Sequence, residues 1–370
     1  MSAQSWAPTV VGWAPPPNGR GTIDILFENF LALFVCVWTV LHHNLQARHE
    51  GFWSVFFRKC RWAVLAVTAP EMLTLFPVMQ WVAANISVRE MQALGVHQWT
   101  KLHAFYANAG GFMLQTPGFP RFPINATSVR YLISYKLISP PTISKEDIWD
   151  RSKSDHFAKT FAFVQSGWII LQIIARATQH LTITPLELFT AAFIVPSLTT
   201  AYFWASKPQN VAEPTVILVD WSIAELLVSA GDVANEPYVN TAMDFVQRSR
   251  IPNDYSPPPP TATEATVVWV VSIIHAVIHA LGWSFHFGIE IETVVWRVSN
   301  LVLLAVMAIG GLVPKQTWIR RKLFNTIVNI AYVVYIIARI CIMVEVFLAF
   351  QGMPEDVYVS AEWIRFWPHV

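Results

Sequence analysis

Seven long apolar runs dominate this sequence and restrict what it can fold into. A helix rises about 1.5 Å per residue, so about twenty apolar residues cross the hydrocarbon core of a membrane. Charged residues make up 13% of the chain, whereas soluble proteins contain about 25%. The sequence therefore predicts an all-α, polytopic bundle of membrane helices. The runs cover 23–42, 62–82, 156–176, 183–204, 265–287, 291–313 and 322–350.

An eighth segment bears on the placement of the termini. Residues 215–230 are apolar but carry Asp220 and Glu225, and they are shorter than the roughly 17 residues that a crossing helix needs. Loops rich in Lys and Arg favour the cytosol. The basic loops 43–61 and 315–322 fall on the same side only if this segment also crosses. We therefore predict about eight transmembrane helices, with both termini on the lumenal or external side.

A long polar stretch, 83–155, separates the second and third runs. It opens with a Ser87-x-x-Glu90 capping box, which predicts the start of a new helix, and it continues through a Pro-rich turn. This pattern predicts a small folded layer outside the membrane. On the predicted topology the layer is lumenal, and so are the two N-glycosylation sequons, at Asn85 and Asn125.

The rest of the chain gives no sign of a separate domain. Residues 231–264 form a second polar, Pro-rich loop. The chain is therefore predicted to be one membrane domain, 1–370, with the lipid bilayer as its main partner.

One ionisable residue lies near the middle of the second run. Glu71 directly follows Pro70 in the predicted helix 62–82. A carboxylate inside a bilayer costs at least a few kcal/mol, so it faces a protein interior, pairs with a cation or stays protonated. Glu71 is thus either functional or a packing acid satisfied by an Arg or a Trp N–H. Its natural counter-charges are Arg297 and Arg339 in the last two runs.

Three further side chains complete the candidate catalytic set. His275 and His279 are one helical turn apart, a spacing that permits joint metal ligation. No His-Glu-x-x-His motif accompanies them, so hydrogen bonding between helices is the favoured interpretation. Glu345 lies six residues after Arg339. Six residues turn a helix by about 600°, so these two side chains point to different faces.

Asp147 and Asp150 form the only acidic cluster that fits a metal. At i, i+3 on a short helix they could share a Mg²⁺ ion, but most such clusters are solvated helix faces and the metal interpretation is the weaker one. No other cofactor is predicted. Glu187 belongs to a Thr184-Pro-Leu-Glu187 capping box, so we assign it a structural role.

Several function classes are excluded by composition and motifs. The net charge of +1 gives no nucleic-acid footprint, and the three cysteines are widely spaced without a C-x-x-C. The chain contains no P-loop, no G-x-G-x-x-G and no G-x-S-x-G motif, which argues against nucleotide-driven transport, dinucleotide chemistry and serine hydrolysis.

Distinctive short motifs are spread over nearly the whole chain. They are 19–26 (GRGTIDIL), 38–42 (WTVLH), 69–71 (APE), 103–112 (HAFYANAGGF), 150–155 (DRSKSD), 174–176 (IAR), 184–187 (TPLE), 207–211 (KPQNV) and 363–369 (WIRFWPH). In these the chain resembles a widespread family of largely uncharacterised fungal polytopic membrane proteins. Ala109 departs from the Met expected before Gly-Gly. The resemblance implies a multi-span helical fold in a eukaryotic membrane and assigns no catalytic residues.

Two function classes remain open. The first is an enzyme of lipid or isoprenoid (terpenoid) metabolism, in the endoplasmic reticulum, whose protonated Glu71 starts a cyclisation or isomerisation of a lipophilic substrate while aromatic faces stabilise the cation. The alternative is a transporter, channel, receptor or scaffold without catalysis. A closed aromatic pocket ending at Glu71 favours the enzyme, and a polar path between both faces favours transport.

Overall fold

Long helices account for most of the residues that the computed structural model describes. These residues are 10–15, 20–152, 156–211, 213–222, 225, 249–255, 262–285, 287–312 and 321–362. Within them the helices are α1 (Thr22–Val40), α2 (Phe52–Thr68), α3 (Pro70–Ala93), α4 (Lys101–Asn108), α5 (Ala126–Ser134), α6 (Lys145–Arg151), α7 (His156–Thr178), α8 (Pro185–Phe203), α9 (Ala262–Ala280), α10 (Glu290–Leu312) and α11 (Arg321–Leu348).

Six of these helices, α1, α7, α8, α9, α10 and α11, are long and apolar enough to cross a membrane. The prediction of a helix is confirmed for six of the seven apolar runs. Large apolar side chains such as Phe34, Leu301 and Ile337 are more than half exposed on the outside of the bundle. A surface of this kind suits lipid and is unusual on a soluble protein.

The remaining run, 62–82, does not form one helix. One helix ends at Thr68, the next begins at Pro70, and their axes differ by 113°. Arg58 in α2 and Gln80 in α3 both lie against residues 249–255, so both arms return to the same end of the bundle. The prediction of a continuous span with Glu71 in its middle is wrong. We call α2 and α3 together the hairpin.

The end of the bundle next to residues 249–255 is covered by a folded layer. We call it the layer end. The layer contains α4, α5, α6 and a three-stranded sheet, packed around buried residues such as Trp99, Phe112 and Ile148. The layer begins later than predicted, because α3 continues to Ala93. Ser87 therefore lies inside a helix and does not cap one. Its hydroxyl accepts a hydrogen bond from the Trp99 indole at 3.1 Å.

The sheet corrects the prediction for residues 215–230. Strand β2 (Phe112–Gln115) pairs antiparallel with β3 (Phe122–Ile124) and parallel with β4 (Thr215–Leu218). The predicted crossing helix therefore does not begin at Thr215, because residues 215–218 form a strand of the layer; residues 223–224 and 226–230 of the predicted span lie outside the described residues. Residues 226–248 and 256–261, most of the predicted loop 231–264, lie outside the described residues, as do 313–320.

The opposite end of the bundle holds both ends of the described chain. Strand β1 (Val10–Val11) pairs with β5 (Met353–Pro354). The buried guanidinium of Arg176, at the end of α7, donates to the carbonyls of Thr182, Asp356, Val357 and Val359. Glu187 caps α8 through Thr184, as predicted, and also pairs with Arg20.

Candidate functional site

The break between α2 and α3 places Glu71 inside the bundle. Ala69 leaves the helical region, with φ −144° and ψ 64°, because a residue before proline is disfavoured in the α conformation. Pro70 begins α3, where its missing N–H costs little. Glu71 follows in the first turn, near the positive end of the helix dipole, and only 2% of it is exposed.

Arg339 of α11 binds the end of α2. The last carbonyls of a helix have no partner within the helix and carry partial negative charge. The Nε of Arg339 donates to the Thr68 carbonyl at 2.8 Å, and its Nη2 donates to the Val67 carbonyl at 3.0 Å. The guanidinium also lies 5.3 Å from the centre of the Phe189 ring. Arg339 thus holds the tip of the hairpin against the bundle.

The two histidines of α9 are joined through the same arginine. The Nη1 of Arg339 lies 3.2 Å from the Nε2 of His275 and 2.9 Å from the Nε2 of His279. The Nδ1 of His275 lies 2.9 Å from the Ala192 carbonyl, which can only accept a hydrogen bond. Neutral His275 therefore carries its proton on Nδ1, and its Nε2 accepts from Arg339. The spacing of His275 and His279 serves hydrogen bonding between helices.

Glu71 completes this cluster from the other side of His275. The Tyr335 hydroxyl donates to the Oε1 of Glu71 in a short hydrogen bond. The Oε2 of Glu71 lies 3.6 Å from the Nε2 of His275 and has no hydrogen-bond partner among the described residues. We call Glu71, His275, His279, Tyr335 and Arg339 the polar centre.

The polar centre is suited to hold and move a proton. All five side chains are at most 2% exposed. With neutral histidines, the negative Glu71 and the positive Arg339 balance, which limits the cost of burying charge. The Oε2 of Glu71 lies 3.6 Å from the Nε2 of His275. A proton on Glu71 can therefore pass to His275 once Nε2 releases the hydrogen bond that it accepts from Arg339. A buried ionisable cluster in an apolar bundle is a functional candidate by default.

Two members of the predicted catalytic set, Arg297 and Glu345, lie elsewhere. Arg297 stacks on Trp283, with its Nε donating to the Trp283 carbonyl at 3.0 Å, so it is not the counter-charge of Glu71. Glu345 is buried on a different face of α11 from Arg339, as expected, and lies within electrostatic range of Glu292. The other predicted counter-charge, Arg339, reaches Glu71 through His275.

The predicted metal pair lies on the exposed surface of the layer. Asp147 accepts hydrogen bonds from the backbone N–H and the hydroxyl of Ser144, at 3.0 and 2.8 Å, and caps α6. These bonds, the backbone one first, lower the pKa of the Asp147 carboxyl. In the described part of the chain no three His, Cys, Asp or Glu side chains group as metal ligands, and Asp150 forms no such group with Asp147.

The predicted glycosylation sites are engaged in the fold. Asn125 is fully buried, caps α5 by accepting from the Ser128 N–H at 2.8 Å, and donates to the Tyr255 hydroxyl at 2.7 Å. The amide of Asn85 donates to the Trp81 carbonyl within α3. A glycan on Asn125 is incompatible with this structure, which corrects the prediction there.

A polar cavity of about 470 Å³ lies beside the hairpin at the layer end. It extends along α2 as far as Leu65, about one helical turn before Thr68, whose carbonyl binds Arg339. Its lining residues come from α2, the preceding loop and the segment before Tyr255. They are Glu50, Ser54, Arg58, Arg61, Trp62, Leu65, Arg250, Asn253 and Asp254.

A family model described as a family of unknown function (DUF8562) matches residues 1–232. The chain belongs to this family. The match includes the hairpin, Glu71 and the described part of the layer. It ends before α9 and α11, which supply the rest of the polar centre. Searches of curated proteins and of solved structures find no match.

Sequence reasoning missed three parts of the site in this DUF8562 chain. Tyr335 lies four residues before Arg339 on α11, so its place on the same helical face was readable from spacing. The helix break was signalled by Ala-Pro-Glu, since Pro followed by an acid is typical of a helix start. The cavity had no sequence signal, because Arg250 and Arg58 are 192 positions apart and only the fold brings them together.

Proposed function

We propose that this chain is an integral membrane protein with six crossing helices and a re-entrant hairpin. Six crossings put both termini on one side, and the basic loops 43–61 and 315–322 on the other. The positive-inside rule then assigns the layer to the cytosol and the termini to the lumen or exterior. The eighth crossing is not needed for this arrangement. Placement in an internal eukaryotic membrane and kinship with the fungal proteins that the sequence resembles belong to the same proposal.

Within that topology, we propose that the protein is a proton-coupled membrane transporter. The observation that carries the proposal is the polar centre. There Glu71 and His275, both buried, lie close enough to exchange a proton at the tip of a broken helix. Broken helices near the middle of a membrane commonly form the binding sites of transporters. The polar cavity that runs along α2 to Leu65 supplies an approach from the layer end.

Proton movement in liposomes tests this proposal. The purified protein is reconstituted with a pH-sensitive dye inside, and gradients of organic acids, phosphate esters and amines are imposed in turn. One class is expected to drive a change in dye signal. Glu71→Gln, which cannot release a proton, is expected to abolish that change. Glu345→Gln, a matched change of a buried acid outside the polar centre, is expected to retain it. Equal signals from Glu71→Gln and the wild type would refute the proton role.

An enzyme acting on an isoprenoid is the second candidate. The Oε2 of Glu71 has no hydrogen-bond partner among the described residues, and the ring of Phe189 lies against Arg339 at the same centre. A proton-initiated cyclisation uses an unengaged carboxyl oxygen and aromatic rings, and both occur in this cluster. The Tyr335 hydroxyl, however, already donates to the other carboxyl oxygen of Glu71, and Arg339 occupies the face of the Phe189 ring.

Lipid extracts distinguish this second candidate. Microsomes expressing the wild type or Glu71→Gln are fed isoprenoid precursors, and the extracts are compared by mass spectrometry. A new product that depends on Glu71 supports the enzyme. Identical extracts, together with a proton signal in liposomes, support transport.

A further inference from the structure

The cavity beside the hairpin carries more positive than negative charge. Arg58, Arg61 and Arg250 line it, against Glu50 and Asp254. Arg58 pairs with Glu50. Even so, the Nε of Arg58 and the Nη1 of Arg250 are buried and have no hydrogen-bond partner among the described residues. Buried donors of this kind are costly when unpaired. They therefore point to an acceptor that completes the site.

The same positive charges act on the pKa of His43, which lies beside the cavity. Its ring lies next to the cavity wall, with Nδ1 2.8 Å from the amide nitrogen of Asn253. Burial is the main cause that lowers the pKa of His43 to about 3, and the charges of Lys207, Lys59, Arg58 and Arg250 lower it further. The neighbourhood of the cavity therefore favours an anion.

Part of the cavity lining is apolar, and the same helix exposes aromatic rings on another face. Trp62 and Leu65 line the deep side. The outward face of the first half of α2 exposes four aromatic rings, of Phe52, Trp53, Phe56 and Phe57. Aromatic rings next to arginines are typical of the membrane–water interface. The lining thus combines arginines with the apolar side chains of Trp62 and Leu65, next to a helix face suited to the membrane–water interface.

We propose that this cavity binds the phosphate-bearing head of an anionic membrane amphiphile, with its hydrocarbon part along Trp62 and Leu65. The planar guanidinium forks of Arg58, Arg61 and Arg250 match phosphate oxygens and bind them with charge-assisted hydrogen bonds. Basic pockets between membrane helices bind lipid heads of this chemistry. The volume of about 470 Å³ is in the usual range for a ligand site. The site lies in the cavity that the transport proposal uses as an approach, but phosphate binding there does not depend on proton movement.

Lipid retention in nanodiscs tests the proposal. The full-length protein is placed in phosphatidylcholine nanodiscs containing a small share of phosphatidic acid, and bound lipid is counted by native mass spectrometry. We expect preferential retention of phosphatidic acid. The double variant Arg61→Gln/Arg250→Gln is expected to bind it at least about tenfold more weakly, since one charged hydrogen bond carries at least that factor. Arg121→Gln, a control that changes an exposed arginine of the layer bonded to Gln115, is expected to bind normally.

Soluble probes separate the two sources of phosphate. Inorganic phosphate and pyrophosphate are added to the wild-type protein, and their binding and competition are measured. Pyrophosphate that competes with phosphatidic acid supports the site even if the double variant does not fold. Pyrophosphate binding without retention of phosphatidic acid would show that the cavity binds a soluble anion, and it would refute the proposal of a lipid ligand. Equal retention of phosphatidic acid and phosphatidylcholine by the wild type would overturn the site. Because binding is measured without proton flux, failure here leaves the transport proposal standing.

Discussion

Replacing Arg339 with leucine is expected to destabilise the hairpin severely. The change removes the donors to the Thr68 and Val67 carbonyls and to both histidines of the polar centre. It also leaves the Glu71 carboxylate without its nearby cation. Removing one member of a buried charged set costs about 3–5 kcal/mol. Since folded proteins are stable by about 5–15 kcal/mol, we expect Arg339→Leu to lose about 3–5 kcal/mol of unfolding free energy.

The measurement is reversible unfolding in mixed micelles, followed by tryptophan fluorescence. Arg297→Leu is the matched control, because Arg297 lies outside the polar centre and makes one backbone hydrogen bond and a cation–π contact, with Trp283. It is expected to lose about 1 kcal/mol or less. The double variant Glu71→Leu/Arg339→Leu should be more stable than Arg339→Leu alone, since no unpaired charge remains. If Arg339→Leu and Arg297→Leu unfold alike, the role of Arg339 at the hairpin tip is refuted.

Three further predictions concern the layer end of the bundle. Burial lowers the pKa of Lys207 from 10.5 to about 7, so between these values the unfolded chain binds more protons than the folded chain. Unfolding free energy should therefore rise as pH rises from about 7 to 10, by up to about 1.4 kcal/mol per unit. Lys207→Met should flatten this rise, and parallel curves would contradict the assignment. Asn125 is buried as a helix cap, so treatment with a glycosidase should leave the electrophoretic mobility unchanged, whereas a shift would contradict the cytosolic layer. Asn125→Ala should cost about 1 kcal/mol.

The crossing helices were predictable because their signal is local. Twenty apolar residues satisfy their own backbone as a helix whatever surrounds them. For this reason the ends of α1, α8 and α10 lie within a few residues of the predicted ones. The cap of α8 at Thr184 was equally local, since side chain and backbone lie three residues apart.

Residues 62–82 and 215–230 were predicted incorrectly for different physical reasons. For 62–82, the prediction of one helix followed from hydropathy alone. The backbone restriction that Pro70 places on Ala69 breaks that helix. For 215–230, the apolar stretch from Thr215 gains its partner, β2, more than 100 residues earlier in the chain. A short apolar run cannot tell a buried strand from a helix. The fold alone decides between them.

The residues of the candidate site were easier to predict than the contacts between them. Glu71, His275, His279 and Arg339 stand out because ionisable groups are rare in apolar runs. Which arginine approaches Glu71 depends on how α10 and α11 rotate against the hairpin, and sequence spacing carries no such information. Tyr335 was overlooked because a tyrosine in a membrane helix is unremarkable by composition.

The long separation between Glu71 and its partners has a consequence for biosynthesis. Tyr335 follows Glu71 by 264 residues, and Arg339 follows Thr68 by 271. At ribosomal rates of about 5–20 residues per second, roughly 13–50 seconds pass before α11 leaves the ribosome. During that interval the hairpin has neither Tyr335 nor Arg339 to hold its tip against the bundle. We therefore expect the hairpin to reach its final position only after α11 has been made, with the Glu71 carboxyl lacking these partners until then.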